Sequence, residues 1–393
     1  MKYIKCILIL ILLNISIFSK AQFVNGFSAE EATDMMALNN SFTFIKVFNT
    51  DTAIVPKSYE RIYRSGVFGL DNQYQIWRNN NFAVISFRGS TAKQESWLEN
   101  LYSAMIPAVG KVILPGSETV DYKFASDTAA HVHAGWTLGL LFMVNDLVYH
   151  INNLNHQGIY NIIFTGHSQG GALAHLARAY FENLPKGRIS SKNRFKTYAF
   201  ASPMPGNKVF ANEYNKRFAF KNTSYNIVNP KDIVPRMPIT LYNGKVFDPE
   251  QIGNLLMNSS FSNATGIIAS RLVSKWFVKD PNAYYIKKAG IEVEEQVEKK
   301  IGKIVMPKYC SDQSYSPLEN RMFLGPFKDV LRQLKADSVN IDSLKSIPFY
   351  GNNMTIQTGS FAQHKPFNYY LYMLKEYYPD KYVATRKHYR IID

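Results

Sequence analysis

The chain has 393 residues, 46% of them hydrophobic, and a formal net charge of +15 at pH 7. That length and apolar content can bury one large core or two ordinary ones, which excludes a chain that depends on disulfides or disorder. The positive charge comes without a dense Lys/Arg block or interleaved aromatics, so no nucleic-acid module is expected.

Lys2 and Lys5 precede the apolar stretch Cys6 to Phe18, and Ser19-Lys20-Ala21 ends it in a small residue. This is the pattern of a secretory signal peptide over residues 1–21, with cleavage expected after Ala21 and export of residues 22–393. A retained anchor is the competing reading, but 13 apolar residues are short for a bilayer. Cleavage would leave Cys310 alone, so the mature chain would have no internal disulfide. It would be soluble, since no second long apolar run follows.

Ser28-Ala29-Glu30-Glu31 reads as a capping box opening a helix that carries Ala32, Met35, Met36 and Phe42. Gln75 to Arg78 and Phe82 to Arg88 read as strands joined by Asn79-Asn80-Asn81. Trp136, Leu140, Val144, Leu147, Ile151 and Leu154 lie on one helical face. The segment Ile159 to Thr165 is a strand, and Leu173, Leu176, Ala177, Tyr180 and Phe181 give the helix after it. Phe195 to Ala201 is a strand, Asn207 to Phe218 a helix and Ser224 to Val228 a strand. This alternation predicts an α/β fold with a mostly parallel sheet and helices on both faces.

After Pro238 the alternation stops. Three helical patterns, around Ile267 to Trp276, Val293 to Ile304 and Phe327 to Leu334, predict a helical insertion or cap over about 245–350. Such an insertion would cap the fold or serve as a solubilising or partner-binding decoration.

Between the strand ending at Thr165 and its helix lies Gly166-His167-Ser168-Gln169-Gly170, a G-x-S-x-G motif. Strand, sharp turn and helix is the setting in which this motif makes a nucleophile elbow, so Ser168 is the candidate nucleophile. An activated serine needs a base, and the base an orienting acid, in the chain order serine, acid, histidine. Past the helix that carries His175, only His364 and His388 remain. His364 sits in a loop just ahead of an apolar helical run, whereas His388 lies five residues from the C-terminus, so His364 is favoured. Asp232, in a proline-bounded loop after Ser224 to Val228, is the favoured acid, with Asp248 its main competitor. The oxyanion donors expected are the Gln169 amide and the Ser90 amide, with the Ser90 hydroxyl adding a bond. This chemistry requires no metal and no organic cofactor.

Five ordered segments carry a resemblance. They are Ser86-Phe87-Arg88-Gly89-Ser90 with Ser96 to Leu101, His133-Ala134-Gly135-Trp136, the elbow, Tyr198 to Pro203 with Gly206-Asn207, and Asn229 to Pro238. Together they resemble the class 3 lipases, the fungal-type triacylglycerol lipase family. The resemblance implies an α/β-hydrolase fold with Ser168, Asp232 and His364 as the triad and Ser90 with Gln169 as the oxyanion hole. It also implies a short lid over Thr91 to Tyr102 bearing Trp97, and structural roles for His133 and His167. Gln169 replaces the family's common leucine, the lid loop is about one residue longer, and His364 follows Asp232 by 132 positions. The insertion accounts for that gap.

The implied function is a secreted serine ester hydrolase acting on lipids, with a lipid or ester substrate. Phospholipase A1, a general carboxylesterase and a lipid-binding protein on an inactive hydrolase fold are the alternatives. The basic surface would suit a membrane or lipid-droplet surface carrying anionic lipid.

Overall fold

A computed structural model describes residues 23–43, 52–80, 82–91, 93–238, 283–311, 314–325 and 362–389. The signal segment, Asp248 and the helical patterns at 267–276 and 327–334 lie outside the described residues.

Chain order begins with α1 (Ala29–Ser41), β1 (Glu60–Arg64), β2 (Tyr74–Asn79), β3 (Phe82–Phe87) and α2 (Gln94–Leu101). Then come β4 (Met105–Pro107), β5 (Val109–Ile113), β6 (Thr119–Lys123), β7 (His131–His133), α3 (Ala134–Leu141) and α4 (Val144–His156). The elbow strand is β8 (Asn161–His167) and its helix α5 (Gln169–Glu182). After them come β9 (Arg194–Phe200), β10 (Gly206–Asn207), α6 (Lys208–Tyr214), continued by a π-helical turn over Asn215–Ala219, and β11 (Ser224–Val228). The described C-terminal part adds α7 (Ala283–Ile301), β12 (Tyr315–Ser316), β13 (Arg321–Phe323), α8 (Pro366–Tyr377) and α9 (Pro379–Tyr389).

The main sheet has seven strands in the order β1-β2-β3-β8-β9-β11-β13. The hairpin β2–β3 is antiparallel, and from β3 through β8, β9 and β11 to β13 every pairing is parallel. Strands covered on both faces read as continuous apolar runs, and β3 is buried at every position. Phe164 of β8 stacks with Phe87, Phe181 and Phe195 on the face that α5 covers. On the other face Tyr198 and Tyr225 meet Met36 and Leu38 of α1 and Tyr369 and Met373 of α8. Ser28 caps α1 as its spacing predicts, its hydroxyl accepting from the Glu31 amide at 3.2 Å.

Two differences from the sequence expectation stand out. The apolar face from Trp136 to Leu154 belongs to two helices, because the Met143 amide donates back to Leu140 in a tight turn that ends α3. Within the stretch expected to be a helical insertion, Arg321–Phe323 is a strand of the main sheet. Val293 and Val297 of α7, with Ile304 beyond it, are buried in the main core.

Candidate active site

Parallel pairing brings several strand ends to one edge of the sheet. Phe87 pairs with Gly166, and His167 and Ile227 both pair with Phe200. The loops after β3, β8 and β11 therefore leave the sheet side by side at its carboxyl edge, where open α/β sheets place their sites. Those loops carry Ser90, Ser168 and Asp232.

Ser168 sits at φ 61° and ψ −130°, a sparsely populated conformation that costs roughly 1–3 kcal/mol. The strain is held by backbone: the Ser168 amide donates to Phe200 O at 2.9 Å, and the Gly171 amide donates to Ser168 O at 2.8 Å. The motif's glycines are steric necessities here. A Cβ on Gly166 would collide with the Gly170 carbonyl, and one on Gly170 with the Phe87 carbonyl. Directly after the serine, α5 begins at Gln169, so its unpaired amides and positive dipole end face the hydroxyl.

The Ser168 hydroxyl lies 2.9 Å from His364 Nε2, and His364 Nδ1 lies 2.8 Å from Asp232 Oδ2. Asp232 also accepts from the Tyr369 hydroxyl at 2.7 Å on Oδ2 and from the Val234 amide at 3.0 Å on Oδ1. With Tyr369 donating to Oδ2 and Val234 to Oδ1, Asp232 acts as the acceptor, which puts the imidazole proton on Nδ1 and leaves Nε2 to accept from the serine. Asp232 and His364 are 2% and 5% exposed, so water competes little for these bonds. Burial and the Asp232 charge push the Tyr369 phenol well above its ordinary range, which keeps it a donor.

The histidine is anchored to the acid loop. Asn229 Nδ2 donates to Gln363 Oε1 at 2.7 Å, and Tyr372 donates to the same oxygen at 2.6 Å. The Asn229 amide donates to the Tyr369 hydroxyl at 3.0 Å. Pro366 then opens α8, and its fixed φ suits a first helical position. His167 packs its ring 4.7 Å from that of His364, and burial holds it neutral, well below the ordinary imidazole range. His133 caps α3, its Nδ1 accepting from the Trp136 amide at 3.2 Å, and burial lowers it to about 3. His388 is exposed on α9.

Beside the elbow, Ser90 Oγ donates to Gln169 Oε1 at 2.9 Å and accepts from Asn100 Nδ2 at 2.9 Å. A Cβ on Gly89 would come 2.8 Å from the His167 carbonyl, so this loop runs directly over the elbow. Trp97 is half-buried on α2, whose Ser96 and Glu99 are buried. Reasoning from sequence missed Tyr369, Asn229, Glu99 and Asn72. Tyr369 left a signal in its place one turn into the helix that follows His364, and Asn229 and Glu99 lie within the resembling segments. Among the described residues no group of His, Cys, Asp and Glu is arranged to hold a metal ion.

The family model for lipase (class 3) matches residues 84–242. That stretch spans Ser90, Trp97, Ser168, Gln169 and Asp232, while His364 lies beyond it. The chain is also similar to a solved triacylglycerol lipase described as having a serine protease triad at its catalytic centre. They share 25% identity over 53% of this chain and 74% of that one, with a TM-score of 0.40. Lipase II from Rhizopus niveus matches at 21% identity over 55% and 77%, TM-score 0.41. A lipase from Rhizopus microsporus var. chinensis matches at 21% over 55% and 71%, TM-score 0.40. Residues 84–242 thus match the class 3 lipase family, and the strand order described above is that of an α/β-hydrolase fold, in keeping with a carboxylic ester hydrolase.

Proposed function

We propose that the protein is an exported serine hydrolase that cleaves lipid carboxylic esters through an acyl-enzyme on Ser168, with His364 as base and Asp232 as the orienting acid. The observation that carries this reading is the relay from Ser168 Oγ to His364 Nε2 and from His364 Nδ1 to Asp232 Oδ2.

In this mechanism Ser168 Oγ bonds to the ester carbonyl carbon while its proton passes to His364 Nε2. The carbonyl oxygen becomes an oxyanion held by the Gln169 amide and by Ser90, and one such donor supplies roughly 3 kcal/mol of barrier lowering. Collapse breaks the bond to the alcohol, which leaves with the proton from His364. Water then gives a proton to His364, attacks the acyl carbon and releases the acid, and Ser168 recovers its proton. Asp232 stays ionised throughout and stabilises the imidazolium. Under the resemblance Trp97 belongs to a lid over the acyl site. Export rests on Lys2, Lys5, the apolar run to Phe18 and Ala21. The net charge of +15, which becomes +12 once Lys2, Lys5 and Lys20 leave with the signal, favours an anionic lipid surface as the place of action.

A fluorophosphonate probe with detergent present should label the wild-type protein and fail on Ser168→Ala. Wild-type protein that stays unlabelled would instead indicate a lipid-binding protein. His364→Ala should abolish turnover of short p-nitrophenyl esters, triglycerides and phospholipids, whereas His388→Ala should leave it intact; the reverse would overturn the choice of base. The mass of the protein recovered outside the cell should correspond to a chain starting at Gln22.

A further inference from the structure

Gln169 departs from the family's leucine, and its side chain is 2% exposed beside the nucleophile. A buried amide must satisfy both ends, and here each does so on a different element. Its Nε2 donates to Glu99 Oε1 at 2.8 Å and to Asn72 Oδ1 at 3.2 Å. Its Oε1 accepts from Ser90 Oγ at 2.9 Å, Ser96 Oγ at 3.3 Å and Asn100 Nδ2 at 3.3 Å. Glu99, fully buried on α2, accepts on its other oxygen from Asn72 Nδ2. Space for this carboxylate is cut into α3, where a Cβ on Gly139 would lie 2.5 Å from Glu99 Oε1 and one on Gly135 would strike the Glu99 carbonyl.

The direction of these bonds is fixed from one end. An indole can only donate, and Trp136 Nε1 donates to Asn100 Oδ1 at 3.0 Å. That turns Asn100 Nδ2 toward Ser90 and Gln169, so Gln169 must present its oxygen there and its nitrogen to Glu99. Glu99 closes the chain as an acceptor at both oxygens, a role only the carboxylate fills.

We propose that Glu99 is a positioning residue for ester hydrolysis, acting through Gln169 to hold the Ser90 hydroxyl ready for the oxyanion. This rests on the reading of Ser90 and Gln169 as the oxyanion site. An amide oxygen offers two lone pairs, and Gln169 Oε1 has three donors. With Ser96 and Asn100 still donating, the Ser90 proton is the surplus one and can turn to a developing oxyanion without leaving Gln169 unsatisfied. A neutral group in place of the carboxylate must set a donor against Gln169 Nε2 or Asn72 Nδ2. Relief comes only from turning an amide, and turning Gln169 points its NH2 at Asn100 and withdraws the acceptor from Ser90.

Burial pushes the Glu99 carboxyl up to about 8, with Asp71 adding to the rise and the Asn72 and Gln169 donors opposing it. Asp71 is paired with Arg88 at 3.1 Å and Lys93 at 2.8 Å. From α3 the nearest titratable group is His133, kept neutral by burial, and α5 presents Gln169. Turnover should therefore gain a step as Glu99 ionises.

The test is the pH dependence of kcat and KM for p-nitrophenyl butyrate, from pH 5 to 10, in wild type, Glu99→Gln, Glu99→Asp and Ser90→Ala. Wild type is expected to show a rise in kcat near pH 8. Glu99→Gln should lose that rise and about tenfold or more in kcat at its plateau, with KM within about twofold. Glu99→Asp should recover part of both. A role in packing alone would lower the melting temperature and leave the profile's shape unchanged. Wild-type kcat without a step between pH 7 and 9 overturns the proposal even if Glu99→Gln fails to fold. So does a Glu99→Gln profile identical to wild type when Ser90→Ala has lost kcat, and in that case the oxyanion reading survives. Unchanged kcat in Ser90→Ala would instead remove the oxyanion reading, and this proposal with it.

Discussion

Asp232 receives three donors, and only one of them belongs to the histidine. The Tyr369 hydroxyl shares Oδ2 with the imidazole and also accepts from the Asn229 amide, so it links the acid loop to the first turn of α8. A hydrogen bond to a charged group contributes about 1.5–3 kcal/mol, and part of it is felt when the adjacent imidazole becomes charged. Tyr369→Phe removes this donor and leaves the Asn229 amide without its acceptor. The expected outcome is a fall in kcat of about tenfold with little change in KM, since the phenol is fully buried. Steady-state kinetics on a soluble ester checks it, and a change confined to KM would count against this role. The convergence of Ser168, Asp232 and His364 could be read from the sequence because each stands at the end of a readable element. Tyr369, Glu99 and Asn72 were not, because each acts through a partner whose approach is set by the fold, as with Asn72 and Gln169, 97 positions apart.

Among the elements, strands flanking the elbow were legible as apolar runs, and β11 spans the residues its pattern marks. Short strands such as β4, β7 and β13 carry three residues each, too few for a period to register. The helical pattern at Val293 and Val297 was visible, but not its destination. Both residues of α7 are fully buried in the main core, and α7 braces α2 through Lys300 to Glu95 at 3.0 Å and Glu294 with Tyr102 at 3.2 Å. The apolar contacts dominate this bracing, because an ion pair at that exposure contributes under about 1 kcal/mol. Each of Val293→Ala and Val297→Ala should destabilise the whole protein by about 2 kcal/mol, from lost transfer energy and an unfilled cavity. Chemical denaturation should show a lower midpoint in a single transition. A separate early transition, with the rest of the fold unchanged, would mean that α7 is an independent cap.

For the molecule as a whole, two carboxyls, Glu99 buried and Asp34 half-buried, tie stability to pH in the opposite sense to most acidic groups. Burial raises Asp34 on α1 from 3.8 to about 7 and Glu99 on α2 from 4.5 to about 8. A folded state that binds a proton more tightly than the unfolded chain is stabilised by protonation, fully so where both states hold the proton. The contribution is therefore complete below about pH 4 and disappears as pH rises through 7 and then 8. Net charge works the other way, since +15 at neutrality falls with rising pH and self-repulsion eases. The variants separate the two effects. Asp34→Asn should flatten the loss of melting temperature between pH 5 and 7, and Glu99→Gln the loss between pH 5 and 8, while neither changes the net-charge trend by more than one unit. Thermal melts across pH 5 to 9 read this directly. Parallel curves for wild type and Asp34→Asn would show that Asp34 ionises in the folded protein at its ordinary pKa. If Glu99 is also the group that sets the alkaline rise in turnover, the pH at which the enzyme works fastest lies above the pH at which it is most stable. One carboxylate on α2 would then set both.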